Sequence, residues 1–269
     1  MLKRGKNEGV SMMMSLARRV IPKPMRRRLN KVRYGLEKVN YRIQTFRRLG
    51  GLYPRECNIC SYVGLFAYFG DPPRRDARCK GCDSVERHRL LKLWVDRTQD
   101  RLKGSTVLHF APEPAIRNMV KPLAGRYVSA DIMPGLADIV LDIEAIAQPD
   151  RSFDWIICSH VLEHIDDAKA LPELYRVLKP GGILSIMVPI VEGWDRTYEN
   201  SAVSGEAARD LHFGQYNHVR YYGHDLRDRI AAAGFDLTEI TAVEPDVSKF
   251  GLMRGEKIFV ATRRTDGAR

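Results

Sequence analysis

The chain has 269 residues, 44% hydrophobic and 29% charged, which suits one α/β domain with a smaller appendage and excludes collagen-like or globally disordered chains. Its net charge of +11 is unevenly placed: residues 1–50 hold 15 Lys/Arg against two acids, whereas residues 51–269 hold 29 against 31. A uniformly basic nucleic-acid-binding body is thereby excluded, and no apolar run reaches the roughly 18 residues of a membrane-spanning helix.

Residues 1–50 read as a basic amphipathic arm. Arg18 and Arg19 interrupt its short apolar stretch too early for a secretory signal. From Leu29 to Phe46, apolar residues recur three and four apart (Leu29, Val32, Leu36, Val39, Ile43, Phe46), as on one face of a helix. Three readings fit: a solvated helix leaning on the main domain, an anchor for an anionic membrane surface or polymer, and an organellar transit segment.

Residues 51–98 read as a cysteine-rich module with a connecting helix. Cys57-x-x-Cys60 and Cys79-x-x-Cys82 are separated by 18 residues, the spacing of a paired-knuckle zinc site. Each short turn aims two thiolates at one point, and no ligand position is left open, so the predicted zinc is structural. Two disulfides are the alternative. The intervening Tyr62, Val63, Phe66, Tyr68 and Phe69, followed by Gly70-Asp71-Pro72-Pro73, predict a hairpin. Arg74, Arg75, Arg78 and Lys80 are placed to offset the thiolate charge. Asp83 and Glu86 predict a capping box for a helix running to about Arg97. Cys158 reads as a small core residue.

From Thr106 onward, short β-rich runs alternate with helical stretches, which predicts a parallel sheet with helices on both faces. Strands are predicted at 106–110, 126–130, 137–141, 153–158, 183–189, about 236–243 and 256–262. Helices are predicted at 114–121, 167–178 and 224–233. Pro114 opens the first helix, Asp166 or Asp167 caps the second and Gly234 stops the third. In such sheets the ligand sits beyond the carboxyl ends of the strands. Those ends carry Phe110 to Glu113, Asp131, Asp142, and Ser159-His160. Two carboxylates at adjacent strand ends suit a ribose diol and an adenine amino group.

Residues 106–189 resemble class I S-adenosylmethionine-dependent methyltransferases of the type 11-like group that includes ubiquinone-type C-methyltransferases. The segments carrying the resemblance are VSADI (128–132), DIEAI (142–146), FDWIICSHVLEHIDD (153–167) and LPELYRVLKPGG (171–182). Together with the cysteine pairs, ERHR (86–89) and HFAPEP (109–114), they resemble a bacterial subgroup with an N-terminal four-cysteine zinc-ribbon-like module. The resemblance implies a Rossmann-like seven-stranded sheet with an antiparallel last strand over residues 99–269, and S-adenosyl-L-methionine as cofactor. It implies that Asp131, followed by Ile132, binds the ribose and that Asp142-Ile143 contact adenine. Phe110, Ala111, Glu113 and Ser159 complete the expected cofactor set. The family pattern has an acid at the end of the first strand and then a glycine-rich turn; here His109 takes the acid position and Ala111-Pro112-Glu113-Pro114-Ala115 has no glycine. Glu113 is expected to replace the acid and pair with the cofactor's ammonium. A nicotinamide site needs G-x-G-x-x-G here and is excluded.

Methyl transfer needs an aligned acceptor and, for a hydroxyl or acidic carbon, a base. His160 is the expected base, with Glu163 and His164 placed to orient it; a structural histidine is the alternative. The polar, aromatic insertion 192–223 is expected to cover the site, with Tyr198, His218, Arg220 and Tyr222 contacting the acceptor. The expected acceptor is a small molecule or glycan-linked group, and the expected location is cytoplasmic, peripheral to a membrane through the arm. An RNA acceptor of the rRNA type and a non-catalytic methyltransferase-like binding protein are the alternatives.

Overall fold

A computed structural model of the chain describes residues 53–70 and 72–265, together with scattered positions between Met25 and Asn40. The chain divides at Gly50/Gly51 into two units. In the first, the described positions are helical, Met25, Leu29, Val32, Leu36 and Val39 are exposed, and Arg33 pairs with Glu37 at 3.4 Å. The rest of the predicted 29–46 helix lies outside the described residues.

The second unit opens with two short hairpins, β1 (Arg55–Glu56) with β2 (Val63–Gly64) and β3 (Ala67–Phe69) with β4 (Arg74–Arg78). Two knuckle turns follow β1 and β4, and they repeat one hydrogen-bond pattern. Ser61 N–H donates to Cys57 O and Cys57 N–H to Tyr62 O, both at 2.8 Å; Asp83 N–H donates to Cys79 O at 3.0 Å and Cys79 N–H to Ser84 O at 2.9 Å. Ser61 and Asp83, each four residues past the first cysteine, take the left-handed conformation at φ 62° and 57°. This moves Asp83 out of the predicted cap. Helix α1 (Glu86–Leu102) instead starts after Val85, whose N–H donates to His88 Nδ1 at 3.2 Å, and it runs a turn past the predicted Arg97.

The main sheet is built from β5 (Thr106–Phe110), β6 (Arg126–Asp131), β7 (Ile139–Val140), β8 (Phe153–Ser159), β9 (Leu178–Met187), β12 (Phe235–Thr241) and β13 (Lys257–Arg263). Between them lie α2 (Pro114–Val120), a 3-10 turn at Leu162–His164, α3 (Asp167–Val177), β10 (Tyr198–Glu199), α4 (Glu206–Phe213), β11 (Arg220–Tyr221), α5 (Leu226–Ala232) and α6 (Asp246–Phe250). The strand order is β12-β13-β9-β8-β5-β6-β7, with β13 antiparallel to both neighbours and β5 to β9 parallel. This is the predicted Rossmann-like sheet. The 137–141 run contributes only Ile139–Val140, while β9 begins five residues before the predicted 183 because Phe153 already pairs with Leu178.

Successive residues of each strand point to opposite faces, so one sheet serves two cores. Leu108, Ile156 and Leu184 face α3 and α5 with Leu171, Leu174 and Ile230. Val107, Trp155 and Ile183 face α1 and α2 with Leu90, Trp94 and Ile116. Trp94 meets Trp155 edge-on at 4.6 Å between centroids, so the helix that leaves the cysteine module is itself part of the second core.

Candidate active site at the carboxyl ends of the strands

The order of the sheet reverses at β5 and β8, and the turns beyond these strands frame a cleft. It is lined by Phe110, Ala111, Ala130, Asp131, Ile132, Leu141, Asp142, Ile143, Val161 and Ile165. Six of the eight predicted cofactor residues therefore share one wall-to-wall space. Asp131 Oδ1 accepts Met133 N–H at 2.8 Å and Asp142 Oδ1 accepts Glu144 N–H at 2.8 Å. Each carboxylate is thus oriented by its own turn through one oxygen. The missing glycine is also accounted for. Ala111 holds φ 46°, the left-handed conformation that glycine ordinarily supplies, fixed by its N–H donating to Ala130 O at 2.9 Å. A β-carbon there costs roughly 1–2 kcal/mol.

Glu113 and Ser159 do not line this cleft, and Glu113, expected to pair with the cofactor's ammonium, is engaged by side chains of its own chain. Its carboxylate accepts from Arg87 Nε at 3.2 Å, from Arg87 through a second short contact, from His88 at 2.7 Å and from Ser159 Oγ at 3.2 Å. Burial opposes its charge, but these hydrogen bonds prevail and hold its carboxyl well below the usual range. His109, in the family's acid position, is fully buried with Nδ1 2.7 Å from the Tyr127 hydroxyl, and burial pushes it down to about 4. It is therefore a neutral core residue at physiological pH.

Immediately past β8, His160 turns into a second and larger cleft of about 620 Å³. Its floor is Met187, Val188, Pro189 and Ile190, and its rim carries Arg74, Arg87, Tyr221, Arg254, Glu256 and Lys257. His160 sits at φ 55°, a conformation rare outside glycine, and its N–H donates to Met187 O at 2.7 Å. Its Nδ1 lies 3.0 Å from Oε1 of the buried Glu163, which fixes the proton on Nδ1 and leaves Nε2 as an acceptor. Consecutive residues, His160 and Val161, line the two clefts.

The insertion presents the opposite face from the one expected. Arg220 is buried and donates to Glu199 at 2.9 Å, Leu162 O at 3.1 Å and Ile165 O at 2.7 Å. Tyr222 is fully buried and donates to Asp167 at 2.9 Å. Both are struts that clamp the insertion onto the start of α3. The alternation at 218, 220 and 222 is real, but pairing of Tyr221 with Tyr198 turns that face inward and leaves Tyr221 at the cleft. Tyr198, hydrogen-bonded to His212 at 2.7 Å, does not line either cleft.

Residues 103–186 match the family model described as a methyltransferase domain. A 60-residue stretch is 43% identical to the ubiquinone/menaquinone biosynthesis C-methyltransferase UbiE of Escherichia coli O1:K1, covering 21% of this chain and 24% of the relative. The chain thus matches about a quarter of the length of that relative. Among solved structures, an S-adenosylmethionine-dependent methyltransferase from Mesorhizobium loti is 14% identical, at a TM-score of 0.48 over 65% of this chain and 98% of that one. The 1,6-didemethyltoxoflavin-N1-methyltransferase of Burkholderia thailandensis is 18% identical, at 0.44 over 65% and 81%. Residues 103–186 are thus similar to a methyltransferase domain.

The sheet is tied to a zinc-ribbon-like cysteine cluster. Cys57 and Cys82 Sγ are 3.6 Å apart, as are Cys60 and Cys79, and all four sulfurs lie within 4.8 Å of one another. A sulfur tetrahedron about 2.3 Å from its centre has edges of about 3.8 Å, whereas a disulfide is about 2.05 Å long. The donor set therefore fits a tetrahedral ion. Of the predicted cations, Arg74 pairs instead with Glu86 at 2.8 Å and Arg78 lies 3.7 Å from Asp83. Gly81 N–H at 3.3 Å from Cys79 Sγ and the Ser84 hydroxyl at 3.4 Å from Cys57 Sγ take that place.

Two residues of the sheet unit and its cysteine module escape sequence reasoning. Arg89 is completely buried and donates to five carbonyls drawn from both parts. Glu256 stands at the large cleft with Oε2 buried and unpartnered, and burial pushes its carboxyl up to about 8.

Proposed function

We propose that this chain transfers a methyl group from S-adenosyl-L-methionine to a small-molecule or glycan-linked acceptor, with one structural zinc held by Cys57, Cys60, Cys79 and Cys82. The observation that carries the reading is the pair of clefts meeting across the end of β8, one walled by Asp131 and Asp142, the other by His160. S-adenosyl-L-methionine supplies an electrophilic methyl group on a sulfonium. Asp131, whose Oδ2 is not used by its own turn, accepts the ribose hydroxyls, and Asp142 with Ile143 borders the adenine. Phe110, Ala111 and Ile132 shape the rest of that cleft, while Glu113 and Ser159 hold the turn behind it.

On the acceptor side, His160 Nε2 takes the proton of a hydroxyl or acidic carbon as the new bond to the methyl carbon forms and the carbon–sulfur bond breaks. Glu163 balances the resulting imidazolium through Nδ1–H. The cationic rim groups of the large cleft are already paired: Arg74 with Glu86, Lys257 with Glu239 and Arg254 with Glu244. With an apolar floor and rim charges that cancel, the cleft suits an uncharged, hydroxyl-bearing acceptor. The basic arm draws the protein to an anionic membrane surface from the cytoplasm; among the described residues no helix is long and apolar enough to cross a membrane.

Calorimetry and methyl-labelled cofactor in cell extracts test this. The full chain should bind S-adenosyl-L-methionine, and Asp131→Ala should weaken binding at least about tenfold, the loss of charge-assisted hydrogen bonds. His160→Gln should keep that affinity and lower label transfer by about 100-fold or more. No cofactor binding by the full chain would leave a methyltransferase-like binding protein, and label in RNA would overturn the acceptor class.

A further inference from the structure

Beyond the acceptor-facing histidine lies a second group of potential metal ligands, independent of the four cysteines. We propose that Glu163, His164 and His218 form a binding site for a divalent transition-metal ion. One donor atom from each of the three lies within 4.8 Å of the others. Glu163 and His164 come from the 3-10 turn after β8, and His218 comes from the insertion 54 positions later in the chain. Val219 N–H donates to Glu163 O at 2.9 Å, so the backbone itself holds the two segments together.

The tautomers follow from the neighbours. His164 Nδ1 faces Asn217 O at 3.2 Å and His218 Nδ1 faces Phe213 O at 3.2 Å. A ring nitrogen against a carbonyl carries the proton, so both Nε2 atoms present lone pairs. The rings meet edge-on at 4.7 Å between centroids. Glu163 is 1% exposed; Oε1 accepts from His160, and Oε2 is buried without a partner.

Three acceptors therefore converge with no donor among them. A buried carboxylate oxygen left this way is costly. A cation satisfies all three at once. Two imidazoles and one carboxylate are the donor set of borderline divalent ions with open coordination positions. Imidazoles whose other nitrogen donates to a backbone carbonyl are the usual outer arrangement of such sites. An ion here would also fix Glu163 beneath His160 and clasp the insertion to the 3-10 turn.

The test uses the full chain with its cysteines zinc-loaded, dialysed separately against Mn²⁺ and further Zn²⁺. A single additional equivalent should bind, and the electron-spin-echo spectrum of bound Mn²⁺ should show coupling to imidazole nitrogens. His218→Gln and Glu163→Gln should each weaken binding at least tenfold, whereas His212→Gln, on an exposed histidine of the same insertion, should leave it unchanged. Cofactor affinity and thermal unfolding of each variant check that it folds. The proposal is overturned if the unaltered chain takes up no further equivalent of either ion, or if bound Mn²⁺ shows no imidazole coupling. Because the readout is metal uptake, it stands or falls separately from methyl transfer.

Discussion

Arg89 bridges the cysteine module and the main sheet unit from a fully buried position. Its guanidinium donates to Ser84 O and Ala77 O in the module at 2.7 and 2.9 Å, and to Phe250 O and Gly251 O at α6, both at 2.7 Å. It also lies 4.7 Å from the centroid of Phe66, the largest apolar residue of the module core. Arg89→Met keeps the length and the apolar stem but removes every donor. The four nearest of its five carbonyl partners then lose a charge-assisted donor, at about 1–3 kcal/mol each. Release of a buried charge returns several kcal/mol, since burial disfavours the guanidinium. The net expectation is a loss of about 3–5 kcal/mol, or about 6–20 °C in melting temperature for a unit of this size. Urea unfolding followed by Trp fluorescence measures it, with Trp94 and Trp155 reporting from the shared core. Zinc should also leave the variant faster under a chelator. A loss below about 1 kcal/mol with unchanged zinc release would refute the view that Arg89 locks the two parts together.

Three further expectations concern pH, metal and the arm. Burial raises the Glu256 carboxyl from 4.5 to about 8, so the folded state keeps a proton that the unfolded chain releases, and stability falls as pH rises through that window. Glu256→Gln should therefore stabilise the protein by about 2 kcal/mol more at pH 8.5 than at pH 4.5, allowing for water in the open cleft; a pH-independent difference in unfolding free energy would contradict the burial argument. Purified protein should hold a single zinc on the cysteines, with chelation exposing four reactive thiols and forfeiting apparent binding energy on the order of 10 kcal/mol; less than half an equivalent with no free thiols would mean disulfides. A chain starting near Gly51 should keep its cofactor affinity and lose binding to anionic liposomes, which for the full chain should weaken steeply with salt, and full-length protein that ignores such liposomes at low ionic strength would end the docking reading.

What the sequence disclosed and what it hid divide along a physical line. The C-x-x-C spacing is a local constraint, and both knuckles fold as it requires, down to matching left-handed residues at Ser61 and Asp83. The strand ends that carry Asp131 and Asp142 were legible because hydrophobic runs bounded by turn residues mark where a parallel strand stops. The inward face of β11 was not, since alternation says which residues share a face but not which way that face turns. That depended on β10, a two-residue strand too short to leave a periodic signal. Glu256 and Arg89 were hidden for a related reason. A lone charged residue in a polar stretch reads as solvated, and only the approach of segments over 100 positions apart buries it.

The unusual turn after β5 makes sense only together with the cysteine module. Where the family pattern relies on a glycine-rich turn, this chain has Ala111 in a left-handed conformation and prolines at 112 and 114. Such a turn is stiff but strained, and it needs an outside hold. Glu113 provides it: Arg87 and His88 reach it from the first turn of α1, and Ser159 reaches it from the end of β8. The residues beside Arg87 and His88 are bound into the module, Glu86 to Arg74 of β4 and Arg89 to the carbonyls of Ala77 and Ser84. The four consecutive residues of ERHR thus connect the cysteine knuckles to the turn after β5, which walls the proposed cofactor cleft, within one helical turn. A zinc ion held by the knuckles, as proposed, would lend rigidity that passes along this short path to the turn after β5. On that reading the module is a brace for the cleft. Three of its arginines are spent in this way on internal acids, Arg55 on Asp76, Arg74 on Glu86 and Arg87 on Glu113.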